Sequence, residues 1–239
     1  MNRDTPFFDI EHISDTICLC FVNIPRFVSR FVGDQTPMDF RRKRNVLMNH
    51  DGPLGRFFLP PDFDKINDFK VMKKQVEWMA GKVAVKTLAS ILKLCPESSL
   101  LIDAEKSGAP FLPDFPHISI SISHSGDYAV AAMDTRGLGL ALDIEAIEQG
   151  RMKNIMGVAF SEKEISLYKD HEDSTLYLNW TVKEAFLKYI KKGFAEGLKK
   201  VEIIDGAVVH RGSPVTDIRI DTRILYTDYA FTLIRSIPK

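Results

Sequence analysis

The strongest constraint on the fold lies in residues 117–145, where the spacing of apolar residues changes to a period of two. Residues 118–123 alternate Ile with Ser, so the Ile side chains share one face of a strand and the Ser side chains share the other. Residues 124–127 have the composition of a turn, residues 128–133 return as a strand, and a second turn leads to a third strand over 138–145. The pattern predicts three consecutive strands joined by tight turns.

Two long stretches carry apolar residues at helical spacing instead. The first, residues 65–94, contains seven Lys and two acidic residues, so we expect a locally basic helix. Gly81 in its middle costs about 1 kcal/mol relative to Ala, which indicates close packing or close approach by a ligand. The second helix is predicted over residues 174–192, with Gly193 as its terminator. Helices mixed with short strands define the class as α+β.

Shorter segments complete this prediction. Four further strands are expected, over residues 13–24, 201–204, 215–221 and 229–235. Ser161 and Glu164 have the spacing of a capping box at the start of a helix. Residues 25–64 contain several Pro and Gly, which predict loops and short helices, and the basic run at 41–44 within them is typical of a solvated face.

Composition excludes several classes of function. Lys plus Arg and Asp plus Glu both number 32, so no overall positive field draws the chain to nucleic acid. The three Cys are odd in number and two of them are close neighbours, which argues against a disulfide framework and for a reducing compartment. The first residues contain no apolar signal region, and no apolar run approaches the roughly 18 residues of a membrane span. We therefore expect a cytoplasmic protein that binds neither nucleic acid nor membrane.

The residues best suited to chemistry are three carboxylates and a lysine. Asp143 and Glu145 project from the same face of the third predicted strand, and Glu184 lies on the second helix. Mg²⁺ prefers oxygen ligands and usually binds one or two carboxylates together with substrate phosphate. Two alternatives stay open: a strand that ends in solvent, and a surface ion pair between Glu184 and Lys188, which are spaced i, i+4. Trp180, one turn earlier, favours a position near the core for this helix face.

His124 follows the strand of alternating Ile and Ser and lies between Ser123 and Ser125. Small residues allow an anion to approach the backbone, and the N–H groups of a turn can help to bind it. A histidine in a polar turn without any ligand explains this segment equally well when it is taken by itself.

Three segments, taken in order, resemble the motifs of the 4′-phosphopantetheinyl transferase superfamily. They are residues 122–130 (Ile-Ser-His-Ser-Gly-Asp-Tyr-Ala-Val), residues 142–145 (Leu-Asp-Ile-Glu) and residues 180–188 (Trp-Thr-Val-Lys-Glu-Ala-Phe-Leu-Lys). Ala80-Gly81-Lys82 in the basic helix and Phe160-Ser161 support the resemblance, which extends over about residues 70–200.

The chain length and the basic helix are similar to the larger, monomeric type of this superfamily, which activates surfactin and enterobactin synthetases. The resemblance implies a pseudo-two-fold pair of similar α+β halves in one chain. Here these halves would be residues 1–133 and residues 134–239, with coenzyme A in the cleft between them. The second half would carry the metal site.

The resemblance implies transfer of the 4′-phosphopantetheine group from coenzyme A to a serine of an apo carrier protein, with release of 3′,5′-ADP. By motif position, Asp143, Glu145 and Glu184 would hold Mg²⁺ on the pyrophosphate. Glu184 is also the candidate base for the carrier serine, and Lys188 would stabilise the leaving group. Contacts to coenzyme A are expected from Lys73, Lys82 and Lys86 of the first helix, from Ser123 and His124 at the 3′-phosphate, and from Lys183 and Lys188 in the cleft.

One departure and two other functions remain open. The superfamily often has Gly-Lys-Pro before the histidine segment, with the lysine at a phosphate, but Ala109 takes that position here, so the contact is absent or supplied elsewhere. A non-catalytic module that binds coenzyme A or a carrier protein is one alternative, and the presence of all three acids and Lys188 argues against it. A different Mg²⁺-dependent phosphoester enzyme, such as a hydrolase, is the other, and it does not explain the basic helix together with His124.

Overall fold

The structure, a computed structural model, describes residues 6–32, 49, 52, 54–55 and 57–238. The basic run at residues 41–44 and much of the Pro-containing segment around it lie outside these residues. Within them, helices and antiparallel sheets are mixed along the chain, so the α+β class predicted from the sequence is confirmed.

The first sheet contains the strands β1 Phe8–His12, β2 Ile17–Asn23, β5 Ser119–Ser125 and β6 Tyr128–Asp134. They pair antiparallel in the order β1-β2-β6-β5. A separate two-stranded ribbon, β3 Asp103–Ala104 with β4 Pro110–Phe111, precedes β5. The strand predicted over 13–24 is present as β2, which is buried at every position except its last.

The helices α1 Ile24–Val32, α2 Pro60–Asp68 and α3 Met72–Ile91 accompany this sheet. The single helix predicted over 65–94 is wrong in one respect, because the chain leaves the helical conformation at residues 69–71. The side-chain amide of Gln75 donates to the carbonyls of Ile66 (3.1 Å) and Phe69 (2.9 Å). These hydrogen bonds satisfy backbone acceptors at the end of α2 and stabilise the interruption.

α3 packs closely on the sheet at Gly81. A Cβ atom on Gly81 would lie 2.8 Å from Cγ2 of Ile122 on β5, so the side chain of any other residue would force the helix and the strand apart. The close packing predicted from this glycine is confirmed. Together, α3 and one face of the sheet bury the first apolar core, which includes Phe27, Met79 and Leu88.

The second part of the chain begins with β7 Leu140–Ala146. The helices α4 Arg151–Ala159, α5 Glu162–Tyr168 and α6 Asp173–Tyr189 follow. The remaining strands are β8 Val201–Ile204, β9 Ala207–His210, β10 Ser213–Pro214, β11 Ile218–Leu225 and β12 Tyr229–Ser236. One antiparallel sheet has the order β11-β12-β7 and another has the order β10-β9-β8. The strands predicted at 201–204 and 229–235 are confirmed, and the one predicted at 215–221 begins three residues later.

One order of elements occurs twice along the chain. In the first part, β2 is followed by the long helix α3 and the hairpin β5–β6, and β6 pairs with β2. In the second part, β7 is followed by the long helix α6 and the hairpin β11–β12, and β12 pairs with β7. The two sheets share a second apolar core, in which Phe21 of β2 lies 5.7 Å from Phe231 of β12 between ring centroids. This packing brings β7 next to β5.

Both long helices end in the same way. Lys93 after α3 and Lys191 after α6 adopt left-handed φ values of 56° and 55°. In each case the next N–H group donates to the carbonyl five residues earlier, at 2.9 Å and 3.2 Å, as in a Schellman motif. The prediction that Gly193 terminates the second helix is wrong, because α6 ends at Tyr189 and Lys191 takes the position that glycine usually fills.

Two further observations concern membrane-spanning helices and the cysteines. In the described ranges, no helix is long and apolar enough to cross a membrane. All three Cys fall within those ranges and are free thiols, and Cys18 and Cys20 are buried on β2 as small apolar side chains.

Candidate active site

The two predicted carboxylates of β7 lie at the end of the strand. Asp143 and Glu145 are two residues apart, so both project from the same face, toward β5. Asp143 is only 3% exposed, and Glu145 is half-buried. On the neighbouring strand β12, Thr232 stands opposite Asp143. An acidic strand end buried to this extent requires polar partners, which come from β5 and α6.

Serine hydroxyls on β5 bind the carboxylates of β7 directly. Ser123 donates to Oδ1 of Asp143 (2.7 Å), and Ser125 donates to Oε2 of Glu145 (2.8 Å). Two backbone N–H groups of β7 donate to hydroxyls on the same face of β5, at 3.0 Å and 3.1 Å. The two strands are thus joined through side chains. Ser125 was not predicted as a site residue, although it continues the alternation of serines by one step.

Lys188 reaches the same point from α6. Its ammonium donates to Oδ1 of Asp143 (2.7 Å) and to the carbonyls of Leu142 (3.2 Å) and Ile122 (3.4 Å). The lysine therefore links α6, β5 and β7. Its ion pair is with Asp143, so the alternative of a simple surface pair between Glu184 and Lys188 is wrong.

Glu184 lies on α6 one turn before Lys188. We call Asp143, Glu145 and Glu184 together the carboxylate cluster. Burial and the nearby Asp143 raise the pKa of Glu184 to about 7, against the opposing effect of Lys188. Burial and Asp143 also raise the pKa of Glu145, while hydrogen bonds from the β5 serine and from Trp180 lower it. The raised pKa values identify a place where a cation is favoured at neutral pH.

Trp180 packs at the edge of this site. Its ring is partly buried against an apolar group formed by α4, α5 and α6, which confirms that this helix face lies near the core. Its indole N–H also faces Glu145 and lowers the pKa of that carboxyl, an effect that was not predicted.

Two carboxylate oxygens of the cluster are buried without a partner. Within the part of the chain that the structure describes, Oδ2 of Asp143 and Oε1 of Glu184 accept no hydrogen bond. Such atoms are rare in folded proteins, and here they are free to bind a ligand. Among the described residues, no three His, Cys, Asp or Glu side chains form a preassembled metal site. Mg²⁺ needs only one or two protein carboxylates when phosphate supplies other oxygens, so these residues fit that ion.

The turn after β5 is anchored by Tyr229 of β12. The hydroxyl of Tyr229 accepts the N–H of Asp127 at 3.0 Å. Gly126 has a φ of +55°, and a Cβ atom on it would lie 2.6 Å from the Tyr229 hydroxyl. Glycine is therefore required here both by the backbone and by the space. This contact fixes the turn that follows His124.

His124 faces Glu77 of helix α3, a residue that was not predicted from the sequence. Its Nδ1 lies 3.6 Å from Oε2 of Glu77, which is itself buried and lies 3.7 Å from Lys73. Burial lowers the pKa of His124; Glu77 and Asp143 oppose this, whereas Lys188 and Lys73 reinforce it. Glu77 could have been found from its position four residues after Lys73 on the same face of a basic helix.

The three lysines predicted for α3 differ in accessibility. Lys73 is exposed. Lys82 is nearly buried and donates to the carbonyl of Ile102, and burial lowers its pKa to about 8. Lys86 is fully buried and donates to Oδ2 of Asp62 at 3.3 Å. The structure therefore corrects the prediction that Lys86 contacts coenzyme A, because its ammonium lies inside the core.

Lys183 is also a core residue. Its ammonium donates to Oε2 of Glu164 (2.7 Å) and to three carbonyls, including that of Ala159 (3.2 Å). Glu164 is equally buried and forms, with Ser161, the capping box predicted from the sequence. The prediction that Lys183 lines the cleft is wrong. Consecutive residues of a helix point about 100° apart. Lys183 therefore points into the core, whereas Glu184 faces the other two acids of the carboxylate cluster.

A cavity of about 460 Å³ adjoins Lys188, which joins it to the carboxylate cluster through Asp143; the three acids are not among the residues that line the cavity. One wall comes from residues 107–111, including Ala109, and a second comes from residues 118–122 of β5. The third is the end of α6 with the segment after it, where Lys188 and Lys191 lie. A concave, mostly apolar cavity with a few charged groups is the usual form of a small-molecule site.

Part of the chain matches a known protein family. Residues 139–233 match the family model described as the 4′-phosphopantetheinyl transferase superfamily. This match contains β7 and α6, and with them the carboxylate cluster and Lys188.

Curated relatives cover a similar part of the chain. The 4′-phosphopantetheinyl transferase ffp of Bacillus subtilis is 32% identical over 125 residues, which is 49% of this chain and 53% of the relative. The 4′-phosphopantetheinyl transferase Sfp of Bacillus subtilis strain 168 is 29% identical over 143 residues, 58% and 62% of the two chains. The human L-aminoadipate-semialdehyde dehydrogenase-phosphopantetheinyl transferase is 27% identical over 163 residues, 62% and 52%. The chain thus spans less than two thirds of the length of each relative.

These matches agree with the motifs in residues 142–145 and 180–188, and the resemblance inferred from the sequence is confirmed. Residues 139–233 are thus similar to the 4′-phosphopantetheinyl transferase superfamily, a family of transferases, and the similar relatives include members of its Sfp type.

Proposed function

We propose that the chain transfers the 4′-phosphopantetheine group of coenzyme A to a serine of an apo carrier protein and releases 3′,5′-ADP. The observation that carries this proposal is the carboxylate cluster, in which two buried oxygens have no partner among the described residues and Asp143 binds Lys188, a residue that also lines a cavity. Phosphoryl transfer depends on positioning and charge neutralisation more than on covalent help from the protein. The match to a transferase superfamily supports the same reaction.

The carboxylate cluster would hold Mg²⁺, with Asp143, Glu145 and Glu184 as ligands. When bound, the ion would neutralise negative charge on the pyrophosphate of coenzyme A. Ser123 would orient Asp143 for this role, because its hydroxyl binds Oδ1 and leaves Oδ2 available.

Glu184 and Lys188 would act on the reacting groups. The carrier serine oxygen forms a bond to the phosphorus that bears pantetheine, the bond from that phosphorus to the oxygen of 3′,5′-ADP breaks, and the serine proton passes to Glu184. In the metal-free protein, burial raises the pKa of Glu184 to about 7, and a bound cation would lower it and keep the carboxylate ionised, as a base requires. Lys188 would stabilise the negative charge on the leaving oxygen.

Coenzyme A would extend from the carboxylate cluster past Lys188 into the 460 Å³ cavity, between the halves 1–133 and 134–239. The repeated order of strand, long helix and hairpin supports a pseudo-two-fold relation between these halves, with the boundary at the end of β6. Further contacts to coenzyme A would come from Ser123, His124, Lys73 and Lys82.

The carrier would be an acyl or peptidyl carrier protein, and the enzyme would act as a cytoplasmic monomer that binds neither nucleic acid nor membrane. The zero net charge supports the exclusion of nucleic acid, and the free cysteines suit a reducing compartment.

Intact-mass spectrometry of the carrier tests the proposal. Apo carrier incubated with this protein, coenzyme A and Mg²⁺ should gain the mass of one phosphopantetheine group, and a chelator should prevent the gain. Asp143→Asn should also prevent it, because the variant removes one acid from the carboxylate cluster. Asp217→Asn is the matched control, since Asp217 is exposed and lies outside the cluster, and it should react like the wild type.

Two outcomes would overturn the proposal. If coenzyme A binds but several unrelated carriers gain no mass, the protein is a non-catalytic binding module. If free phosphopantetheine is released without a carrier, the enzyme is a hydrolase.

A further inference from the structure

Lys191 stands where the backbone favours glycine. It follows the end of α6 with a φ of 55°, and its N–H donates to the carbonyl of Lys188 at 3.0 Å. Glycine usually takes this left-handed position at a helix end, because a side chain adds strain there.

Lys191 lines the same cavity as Lys188. Its ammonium is 2.6 Å from Oε1 of Glu105, which lines the same cavity on the segment between β3 and β4. Both side chains are largely in solvent, with exposures of 57% and 38%. Exposed ion pairs of this kind contribute little to folding stability, so stability does not account for the lysine.

The two ammonium groups at this cavity differ in how firmly they are bound. Lys188 is held by the carboxylate of Asp143 and by two backbone carbonyls. The recorded partner of Lys191 is the single exposed carboxylate of Glu105, which it can exchange for another anion at small cost. Ala109 lines the same cavity, at the position where the resemblance to the superfamily implies a lysine bound to phosphate.

We propose that Lys191 binds a phosphate of coenzyme A in this cavity and supplies, from the end of α6, the positive charge that Ala109 cannot provide. This inference rests on the proposed function. Glu105 is then a competing partner, which holds the ammonium at the cavity until the phosphate replaces it. Lys191 is a binding residue that determines affinity and takes no part in the chemical step.

Lys191→Gly tests the proposal, with Lys93→Gly as the matched control. Lys93 has the same left-handed conformation at the end of α3 but is not among the residues that line the cavity. Both variants should melt at or slightly above the wild-type temperature, since glycine suits this conformation. In isothermal titration calorimetry with coenzyme A, Lys191→Gly should bind roughly tenfold more weakly, as expected for loss of one charge-assisted hydrogen bond. Lys93→Gly should bind like the wild type.

Glu105→Gln provides an independent readout. It removes the competing carboxylate, so it should tighten coenzyme A binding a few-fold in the wild-type background. In the Lys191→Gly background it should have no effect. Titration with 3′-dephospho-coenzyme A then identifies the group that is bound. If the difference between Lys191→Gly and wild type disappears, Lys191 binds the 3′-phosphate, and if it persists, Lys191 binds the pyrophosphate.

Failure of this inference is distinguishable from failure of the proposed function. Equal coenzyme A affinity of Lys191→Gly and Lys93→Gly would overturn the role of Lys191 while transfer activity stays intact. A lower melting temperature for Lys191→Gly alone would show that the lysine serves stability instead. A wild-type protein that does not bind coenzyme A would overturn the proposed function itself.

Discussion

Replacement of Glu184 by Gln tests the electrostatics of the carboxylate cluster without a large change of shape. Gln has nearly the volume of Glu and carries no charge. Burial, and then the neighbouring Asp143, raise the pKa of Glu184 from its ordinary 4.5 to about 7. A rise of this size corresponds to roughly 3 kcal/mol of difference between the two protonation states.

The direction of the pH dependence follows from that raised pKa. The folded state holds the proton of Glu184 more tightly than the unfolded chain does, so the wild type loses stability as the pH rises from 4.5 to above about 7. Gln cannot ionise and does not incur this loss. Glu184→Gln should therefore be more stable than the wild type by about 3 kcal/mol near pH 8, and by about 1 kcal/mol or less near pH 5.

Urea unfolding in a metal-free buffer measures this difference directly, provided that the two proteins share one m-value. Asp217→Asn is again the control, because it removes an exposed charge outside the carboxylate cluster. Equal stability of wild type and Glu184→Gln near pH 8 would refute the argument that burial and like charges raise this pKa.

Addition of Mg²⁺ extends the same experiment to the metal site. A ligand that binds only the folded state raises the free energy of unfolding. Near pH 8, Mg²⁺ should therefore stabilise the wild type, since it favours the ionised cluster, and should stabilise Glu184→Gln less. An equal response of the two proteins would count against Glu184 as a ligand.

Three further changes test individual contacts. Lys183→Met should lower the free energy of unfolding by about 3–5 kcal/mol in urea, because it leaves Glu164 buried without its partner, and coenzyme A affinity of the folded protein should be unchanged. Gly126→Ala should lower it by about 1–3 kcal/mol in thermal unfolding, because the left-handed backbone and the nearby tyrosine hydroxyl both oppose a Cβ atom. Trp180→Phe keeps much of the packing but removes the donor to Glu145, so the transfer rate should fall several-fold in a single-turnover assay while the melting temperature changes by only a few degrees.

The sequence predicts those features of the site that lie within one element. Asp143 and Glu145 share a face because strand residues alternate, and Glu184 and Lys188 lie one turn apart on a helix; both relations hold in the structure. The ion pair between Lys188 and Asp143 joins two elements, so no local spacing could predict it.

Long-range contacts explain the errors in the predicted elements as well. The predicted helix 65–94 is interrupted because Gln75 of α3 binds carbonyls at the end of α2, an arrangement that apolar periodicity does not report. The end of α6 was placed at Gly193 because glycine favours a left-handed conformation. Lys191 adopts that conformation earlier in the chain, which residue preference alone would disfavour.

Lys86 and Lys183, which the sequence assigned to coenzyme A, have the same structural role in the two parts of the chain. Lys86 lies on α3 and pairs with Asp62 of the preceding helix α2, and Lys183 lies on α6 and pairs with Glu164 of the preceding helix α5. Each acid also accepts the backbone N–H of the residue just before its own helix. Asp62 accepts the N–H of Leu59 at 2.9 Å, and Glu164 accepts the N–H of Ser161 at 2.9 Å.

In each part of the chain, then, one buried carboxylate ties the first turn of a short helix to the middle of the long helix that follows. Removal of either lysine would leave a buried carboxylate without its partner. Both lysines therefore stabilise the fold whether or not a ligand binds. The same comparison identifies the lysines that are available to a phosphate. Lys188 and Lys191 lie on the wall of the cavity, where an incoming anion can reach them, and Lys86 and Lys183 cannot be reached without opening the core.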